Sequence, residues 1–345
     1  MKAIFVSATF ALLIAIVSCS QLMEKRKVQE PAAKTGYLTW DFFDGSRNKS
    51  LHAALWYPVK DDVKASEVVD SDFQRVPEAL GAPIADINHK YPLIVMSAGY
   101  GGRMDSLAWL AEYLVANGYI VASVEHGDLA ADGTQHLNMW NRPLDISSLL
   151  DSIFASSMAK YIDTNRIGMI GYSVGGLTGA WLAGAVRPDI QPENLVPPKG
   201  FGVTAEDEQV IGKYLNQVDI EGWRRSYRDP RIKSYVLLAP YLSWAFDTES
   251  YKKMSSDMLI IVGDADPSRE SSIKYAQSIP QASFKELDGH IGHWEFMGVW
   301  SQKGFETIKS MMPQEAWPSL PLEHRRRFVH ELTGELTVEF FNHNL

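Results

Sequence analysis

The stretch that decides the fold runs from Arg166 to Gly176 and reads RIGMIGYSVGG. Its first half is a short apolar run, which is typical of a buried parallel strand. In its second half, Ser173 has glycine two positions before it and two positions after it. Small residues there let a strand turn directly into a helix and raise the serine hydroxyl above the sheet. Because the N–H groups and the dipole of that helix point at the turn, negative charge developing at Ser173 would be stabilised.

The segments on either side predict alternating strands and helices. Apolar strands are predicted at 92–97, 119–124, 234–239, 258–262 and 284–287, and two further strands at 37–43 and 51–57 flank a turn at Asp44-Gly45-Ser46. Helical spacing of apolar residues predicts helices at 106–117, with Gly118 as the C-cap, and at 143–154. This alternation indicates an α/β fold, with a mostly parallel twisted sheet that has helices on both faces.

Two aspartates and two histidines are candidate partners of the serine. A serine hydroxyl is a poor nucleophile until a base accepts its proton, and an acid in turn orients the base. When the serine lies at a strand–turn–helix junction, the acid and the histidine follow it in that order along the chain. Asp264 and Asp266 follow the strand at 258–262, and His290 and His293 follow the strand at 284–287. By position, either member of each pair qualifies.

Two backbone amides are candidates for an oxyanion hole, the pair of donors that stabilises a tetrahedral intermediate. One is the amide of Val174, directly after the serine. The other is expected in the loop after the strand at 92–97, which reads SAGYGG from Ser97 to Gly102. Glycines allow the backbone of such a loop to turn its amides toward a substrate oxygen. We assign the second donor to Tyr100.

Several motifs, in this order along the chain, resemble those of one family. They are LWYP at 55–58, SAGYG at 97–101, VASVEHGD at 121–128, RPLDI at 142–146 and GYSVGG at 171–176. From about residue 37 to about residue 300, the chain resembles the bacterial branch of the platelet-activating-factor acetylhydrolase and dienelactone-hydrolase-like α/β-hydrolases. The resemblance implies the α/β-hydrolase fold and a serine carboxylic-ester hydrolase. It further implies a short-acyl, acetylhydrolase-like enzyme that works through a Ser-Asp-His triad and an acyl-enzyme.

The resemblance favours one member of each candidate pair. The segment GDADP at 263–267 resembles the acid loop of many α/β-hydrolases, which favours Asp266 over Asp264. The segment GHW at 292–294 resembles their base loop, which favours His293 over His290. The predicted triad is therefore Ser173, Asp266 and His293.

Two positions depart from the pattern of the family. The family usually has histidine before the oxyanion glycine, where this chain has Ala98. In the animal acetylhydrolases the acid ends the strand after the nucleophile helix, but here that strand ends in Leu238-Ala239-Pro240. The second departure again favours Asp266, because no carboxylate is available at the earlier strand.

Two other functions are compatible with the same residues. One is a non-catalytic envelope lipoprotein that keeps the hydrolase fold as a binding module, which Ala98 and the pair of candidate histidines leave open. The other is a serine peptidase or amidase on the same scaffold. The ordered presence of serine, acid and histidine favours catalysis over binding alone.

Composition excludes several classes of protein. Of 345 residues, 46% are hydrophobic and 22% charged, which is ordinary for a globular chain. The net charge is −9 and no Lys/Arg-rich run is present, so nucleic acid is not an expected partner. One cysteine cannot form an intramolecular disulfide or a thiolate metal cluster. Because the spacing of His126, Asp128, Asp132 and His136 matches no metal-ligand pattern, we predict neither a metal nor another cofactor, and expect a small-molecule ester or lipid-like substrate.

The N-terminus predicts export. Lys2 precedes an apolar run at 3–17, which is too short to span a bilayer and fits a secretory signal ending at residue 18. Residues 16–19, IVSC, resemble the lipobox of bacterial lipoproteins, which implies lipidation of Cys19. The protein is therefore expected in the bacterial cell envelope, held at the membrane by an N-terminal lipid anchor. Residues 19–35 are polar and aperiodic, which predicts a tether.

The rest of the chain is predicted to form one domain with one insertion. Residues 36–312 are assigned to the hydrolase domain. Prolines at 188, 192, 197 and 198 interrupt the alternation of strands and helices, so we interpret residues 187–230 as an insertion that caps the pocket. Residues 313–345 are predicted to be a C-terminal helical extension.

Overall fold

A computed structural model of the chain describes residues 32, 34–128, 138–196, 214–241, 243–311 and 323–345. The strands in these residues form a single sheet. They are β1 (Thr35–Asp44), β2 (Lys49–Tyr57), β3 (Glu78–Leu80), β4 (Tyr91–Ser97), β5 (Ile120–Glu125), β6 (Ile162–Tyr172), β7 (Ser234–Leu238), β8 (Asp257–Gly263) and β9 (Ala282–Leu287). Their order across the sheet is β3-β1-β2-β5-β4-β6-β7-β8-β9.

The strand directions place the ends of the central strands at one edge. β1 and β2 form an antiparallel hairpin, and β2 also runs antiparallel to β5. From β5 to β9 every neighbouring pair is parallel. The loops that follow β4, β6, β8 and β9 therefore emerge at the same carboxyl edge, which is where ligands bind in open α/β sheets.

Helices cover both faces of this sheet. The described helices are α1 (Ala108–Ala116), α2 (Asn141–Ala155), α3 (Val174–Leu182), α4 (Ile220–Arg224), α5 (Thr248–Lys252), α6 (Arg269–Ser278), α7 (Gln302–Met311) and α8 (Glu323–Asn344). One apolar cluster joins α2, α3 and α6 to the sheet, and a second joins α1 and α8 to its other face. This arrangement confirms the predicted mostly parallel sheet with helices on both faces.

Strand β2 shows how the sequence supplies both faces of the core. Ala53, Leu55 and Tyr57 point into the first cluster, whereas Ala54 and Trp56 point into the second. Side chains alternate between the two faces of a strand, so a strand covered on both sides must be apolar at every position. The apolar run of β4, which is buried throughout, has the same origin.

The C-terminal helix lies deeper in the structure than an extension would. The sequence predicts a helical extension at 313–345, and α8 does form there, but Val329, Val338 and Phe341 are fully buried against the sheet. Its buried face also contains Thr333, Gly334 and Thr337, which carry little apolar signal. For that reason the sequence pattern does not reveal that α8 is a layer of the core.

Parts of the predicted organisation fall outside the described residues. These are the signal segment, Cys19, most of the tether, residues 197–213 in the middle of the predicted cap, and residues 313–322 of the predicted C-terminal extension. Of the insertion at 187–230, the described part includes α4, whose Trp223 is buried against Trp181 with ring centroids 5.0 Å apart. The cap over the pocket remains a prediction. None of the helices in the described part of the chain is long and apolar enough to cross a membrane.

Candidate active site

Ser173 lies at the sharp turn between β6 and α3. Its φ of 55° is in the left-handed region, which a non-glycine residue adopts only when the surrounding structure enforces it. A Cβ added at Gly171 would lie 2.1 Å from the carbonyl oxygen of Gly175, and one added at Gly175 would lie 1.9 Å from the carbonyl oxygen of Ser97. Glycine at both positions is thus a steric requirement of the turn that exposes the serine.

Three side chains from three loops form a continuous hydrogen-bonded row. His293 Nε2 is 2.8 Å from Ser173 Oγ, and His293 Nδ1 is 2.9 Å from Asp266 Oδ2. The carboxylate of Asp266 is fully buried, whereas the imidazole of His293 is partly exposed. The predicted Ser173, Asp266 and His293 are therefore brought together, in the geometry that lets an imidazole accept a serine proton.

Asp264, the alternative acid, does not contact the imidazole. Its Oδ2 accepts hydrogen bonds from the amides of Gly289 at 3.2 Å and His290 at 3.0 Å, and its Oδ1 accepts one from Ile291 at 2.6 Å. The hydrogen bond from the His290 amide is the largest cause that lowers the pKa of Asp264. This aspartate closes the loop that carries the histidine, as a turn-capping carboxylate does.

His290, the alternative base, lies on the exposed side of that loop. Its φ is 60°, its amide donates to Asp264 and its carbonyl oxygen accepts from Arg325. The tight turn at Gly289 and His290 sends the chain back toward the sheet, so that His293, three residues later, reaches Ser173.

The two amides predicted for the oxyanion hole belong to segments that flank the serine. Val174 is the first residue of α3, so its N–H lies at the helix N-terminus next to Ser173. Gly99 packs against the serine: a Cβ added there would lie 3.3 Å from Ser173 Cβ. The peptide group that joins Gly99 to Tyr100 is thus beside the nucleophile. The role of both amides remains a prediction.

Tyr172 is a site residue that the sequence analysis did not identify. Its hydroxyl donates to the carbonyl oxygen of His293 at 2.9 Å, and its ring lies 5.2 Å from the imidazole. Burial raises the pKa of Tyr172, so the hydroxyl stays protonated and able to donate. Its position within GYSVGG could have suggested a role, but only the fold shows which group the hydroxyl contacts.

Helix α8 also supports the histidine loop. Arg326 donates to the carbonyl oxygen of Gly298 and stacks on Trp300. His330 Nε2 lies 2.7 Å from the carbonyl oxygen of Met297, and its ring stacks on Trp109 at 3.8 Å. Burial lowers the pKa of His330 to about 3, so this imidazole is neutral. Because these contacts join residues that are 28 and 33 positions apart in sequence, no local pattern connects α8 with the loop.

Aromatic side chains surround the site at different depths. Tyr100 and Trp294, on the two loops nearest Ser173, are both more than two-fifths exposed. Tyr241 lies 6.0 Å from the His293 ring and packs edge-on against Trp244. Large amphipathic rings at a cleft provide apolar contact area for a bound ligand.

His126 and Asp128 belong to a buried polar cluster behind the oxyanion loop. His126 contacts Ser97 and Asp145, and Asp128 contacts Arg142. Asp132 and His136, considered with them as metal ligands, lie outside the described residues. Within the described ranges, no group of three or more His, Cys, Asp and Glu side chains is arranged to hold a metal ion.

The sheet order, the helices on both faces and the serine at the turn after β6 define the α/β-hydrolase fold. A ferulic acid esterase from Streptomyces cinnamoneus has the same fold, with a TM-score of 0.60 over 92% of each chain at 18% sequence identity.

Sequence comparison matches a smaller part of the chain. Residues 83–199 match a family model described as PET hydrolase-like. Cutinase est1 of Thermobifida alba is 31% identical over 104 residues, which are 30% of this chain and 34% of that protein. Cutinase 2 of Thermobifida cellulosilytica is 27% identical over 135 residues, which are 38% of this chain and 50% of that protein. The chain spans about a third of the length of the first of these relatives. The segment that the family model matches contains the oxyanion loop and the nucleophile turn, and it ends before Asp266 and His293.

Proposed function

We propose that this protein is a serine hydrolase of carboxylic esters that works through an acyl-enzyme. The observation that carries the proposal is the row of hydrogen bonds from Asp266 through His293 to Ser173, at 2.9 and 2.8 Å. A serine at a strained turn, next to an imidazole held by a buried carboxylate, is the arrangement required for nucleophilic catalysis.

The geometry supports the following steps. His293 Nε2 accepts the proton of Ser173 as Oγ forms a bond with the ester carbonyl carbon, and the carbonyl electron pair moves to its oxygen. The amides of Val174 and Tyr100 donate to that oxyanion. The intermediate then reforms the carbonyl and releases the alcohol, which takes its proton from His293. Water repeats the sequence on the acyl-enzyme, releases the acid and restores Ser173. Asp266 holds the imidazole and stabilises its charged form without accepting its proton.

Two considerations support an ester as the substrate. The cutinases and the ferulic acid esterase that are similar to this chain carry the names of ester hydrolases. The resemblance to acetylhydrolases further favours a short acyl group on a small-molecule or lipid-like alcohol. We therefore extend the proposal to short-acyl esters.

Hydrolysis of p-nitrophenyl esters with acyl chains of increasing length tests this proposal. We expect the highest kcat/KM with the acetate and little hydrolysis of peptide p-nitroanilides.

Ser173→Ala should reduce turnover by at least about 10³-fold while the protein stays folded, because removal of the nucleophile leaves only binding and the oxyanion donors. A fluorophosphonate probe should label the wild-type chain and leave Ser173→Ala unlabelled. Wild-type esterase rates in the variant, or an unlabelled wild-type chain, would refute the proposal, and faster hydrolysis of the anilides would indicate an amidase.

We propose that the protein is an exported lipoprotein anchored through Cys19 in the bacterial cell envelope. The apolar run at 3–17 and the IVSC segment at 16–19 support this. Several acyl chains on one residue hold a protein at a bilayer stably, whereas a single chain does not. We expect the wild-type chain to incorporate a labelled fatty acid and to sediment with membranes, and Cys19→Ala to do neither. Equal membrane association of the two proteins would contradict lipid anchoring.

A further inference from the structure

Arg142 is a buried cation that contacts the loop carrying the predicted oxyanion donor. It lies at the start of α2 and is only 2% exposed. Its guanidinium donates to the carbonyl oxygen of Ala98, to that of Gly99 at 3.5 Å and to Ser97 Oγ at 3.3 Å. Ser97, the last residue of β4, and the two residues that follow it are thus held by one side chain from another element.

Asp128 binds both Arg142 and the other side of the oxyanion loop. Its Oδ2 accepts a hydrogen bond from Arg142 Nη1 at 2.8 Å and another from the amide of Gly101 at 3.1 Å. Burying an unpaired guanidinium is unfavourable because the charge loses its hydration, and pairing with a carboxylate offsets part of that loss. Together, Arg142 and Asp128 contact the backbone on both sides of Tyr100.

A second row of buried groups fixes the orientation of Ser97. Its hydroxyl lies 3.0 Å from His126 Nε2, and His126 Nδ1 lies 2.8 Å from Asp145 Oδ2. Burial is the largest cause that lowers the pKa of His126, which keeps the ring neutral. With Nδ1–H donating to Asp145, Nε2 accepts a hydrogen bond from the hydroxyl of Ser97, and Ser97 Oγ in turn accepts one from Arg142. Lys49 and Arg47 neutralise Asp145 from its far side.

Because the peptide group is planar, these contacts determine where the N–H of Tyr100 points. In a trans peptide the C=O of one residue and the N–H of the next point in opposite directions, and no peptide bond in the described residues is cis. Because the carbonyl oxygen of Gly99 is held by Arg142 and by the amide of Gly102 at 3.1 Å, the N–H of Tyr100 points away from them. Gly99 itself packs against Ser173.

We propose that Arg142 is a positioning residue for the oxyanion hole: by holding the carbonyl oxygens of Ala98 and Gly99, it directs the N–H of Tyr100 toward the oxygen that becomes negative. The inference rests on the proposed function. Ala98 has no side-chain polar group with which to hold the loop, and Arg142 provides that support from α2. Preorganised donors stabilise a transition state because they need not reorient during the reaction.

An ester and the corresponding thionoester, in which sulfur replaces the carbonyl oxygen, test the inference. The donors of an oxyanion hole stabilise a negative oxygen better than a negative sulfur, because sulfur is a weak hydrogen-bond acceptor. For Arg142→Met we expect kcat on p-nitrophenyl acetate to fall by about 10- to 100-fold with little change in KM, a fraction of the loss typical when a whole donor is removed. Hydrolysis of the corresponding thionoester should fall much less, so the ratio of oxygen to sulfur rates should decrease. Arg142→Lys, which keeps the charge and loses the planar fork, should lie between wild type and Arg142→Met.

Arg75→Met is the matched control. The side chain of Arg75 is also buried, but its acidic partners are Glu78, Asp105 and Glu112, none of them in the oxyanion loop or in the row that holds Ser97. We expect this variant to lose stability and to keep the wild-type ratio of oxygen to sulfur rates. A loss of stability alone would lower both rates through the amount of folded enzyme, and would not change their ratio.

The outcomes separate this inference from the proposed function. An unchanged kcat in Arg142→Met, or equal losses on both substrates, would overturn the role of Arg142 while leaving the esterase proposal intact. If Arg142→Met does not fold, Asp128→Asn replaces it, with a smaller decrease in the same ratio expected and an unchanged ratio overturning the inference. Absence of Ser173-dependent ester hydrolysis in the wild-type chain would overturn the proposed function, and the inference with it.

Discussion

Asp264 and Asp266 lie two positions apart and have different partners because the loop after β8 turns between them. Asp266 is buried and faces the imidazole of His293, whereas Asp264 lies near the surface and faces the amides of Gly289, His290 and Ile291. One carboxylate therefore acts on the proposed base directly. The other acts on it through the shape of its loop.

This difference predicts unequal effects of the same substitution. Asp266→Asn should lower kcat on p-nitrophenyl acetate by about 10³- to 10⁴-fold, because an amide stabilises the wrong tautomer of the imidazole and does not stabilise its charged form. Asp264→Asn keeps a carbonyl oxygen that accepts hydrogen bonds from the loop amides, so we expect a loss of about 10-fold or less. Steady-state kinetics of the two variants check the prediction. Similar losses in both would show that Asp266 has no special relation to His293.

At the scale of elements, α8 stabilises the molecule through its buried face. The ring of Phe341 packs where β6 has a glycine: a Cβ added at Gly168 would lie 2.6 Å from Phe341 Cε1. Val329 and Val338 lie in the same apolar cluster, which also includes residues of α1 and of the histidine loop after β9. The glycine in the strand and the aromatic ring in the helix thus fit together in close contact.

Phe341→Ala should therefore destabilise the protein strongly. The fully buried ring leaves a cavity, and such a truncation costs about 3–5 kcal/mol of the free energy of unfolding. Phe328→Ala removes the same side chain from the same helix at a position that is 53% exposed, and we expect a change within about 0.5 kcal/mol. Urea denaturation of both variants measures the difference. Equal midpoints would mean that α8 does not contribute to the core.

At the scale of the whole molecule, we expect stability to depend on pH through a buried acidic cluster. Glu78, Asp105 and Glu112 lie around the guanidinium of Arg75, where the segment before β3 meets α1, and Asp105 also pairs with Arg103. Burial, as the largest cause, raises the pKa of Glu112 to about 7 and also raises the pKa of Glu78. The folded protein therefore binds protons that the unfolded chain has already released.

The sign of the pH dependence follows from linkage. Between the ordinary carboxyl pKa and about pH 7, the folded state holds more protons at Glu112 than the unfolded state, so the free energy of unfolding falls as pH rises. The shift corresponds to about 3 kcal/mol across this window. Glu112→Gln should remove most of that slope in denaturation experiments from pH 4.5 to 8, and Glu335→Gln, at an exposed position, should not. A slope that persists in Glu112→Gln would exclude this glutamate as its source.

The sequence by itself determined the features that depend on short stretches of chain. The apolar runs specify the strands, because a parallel strand buried on both faces must be apolar throughout. The glycines around Ser173 specify the turn, since no larger residue fits. Chain order also reduced the candidate partners to two aspartates and two histidines.

Only the tertiary structure decided which of those candidates meet. Ser173 and His293 are 120 residues apart in the chain, and their contact depends on how the loops after β6 and β9 are oriented at the edge of the sheet. Three other features also depend on tertiary structure: the contact of Tyr172 with His293, the position of α8, and the hydrogen bonds from Arg142 to residues 97–99. Hydrogen-bond partners that are distant in sequence leave no periodic or local pattern, because their spacing is set by the packing of the whole core.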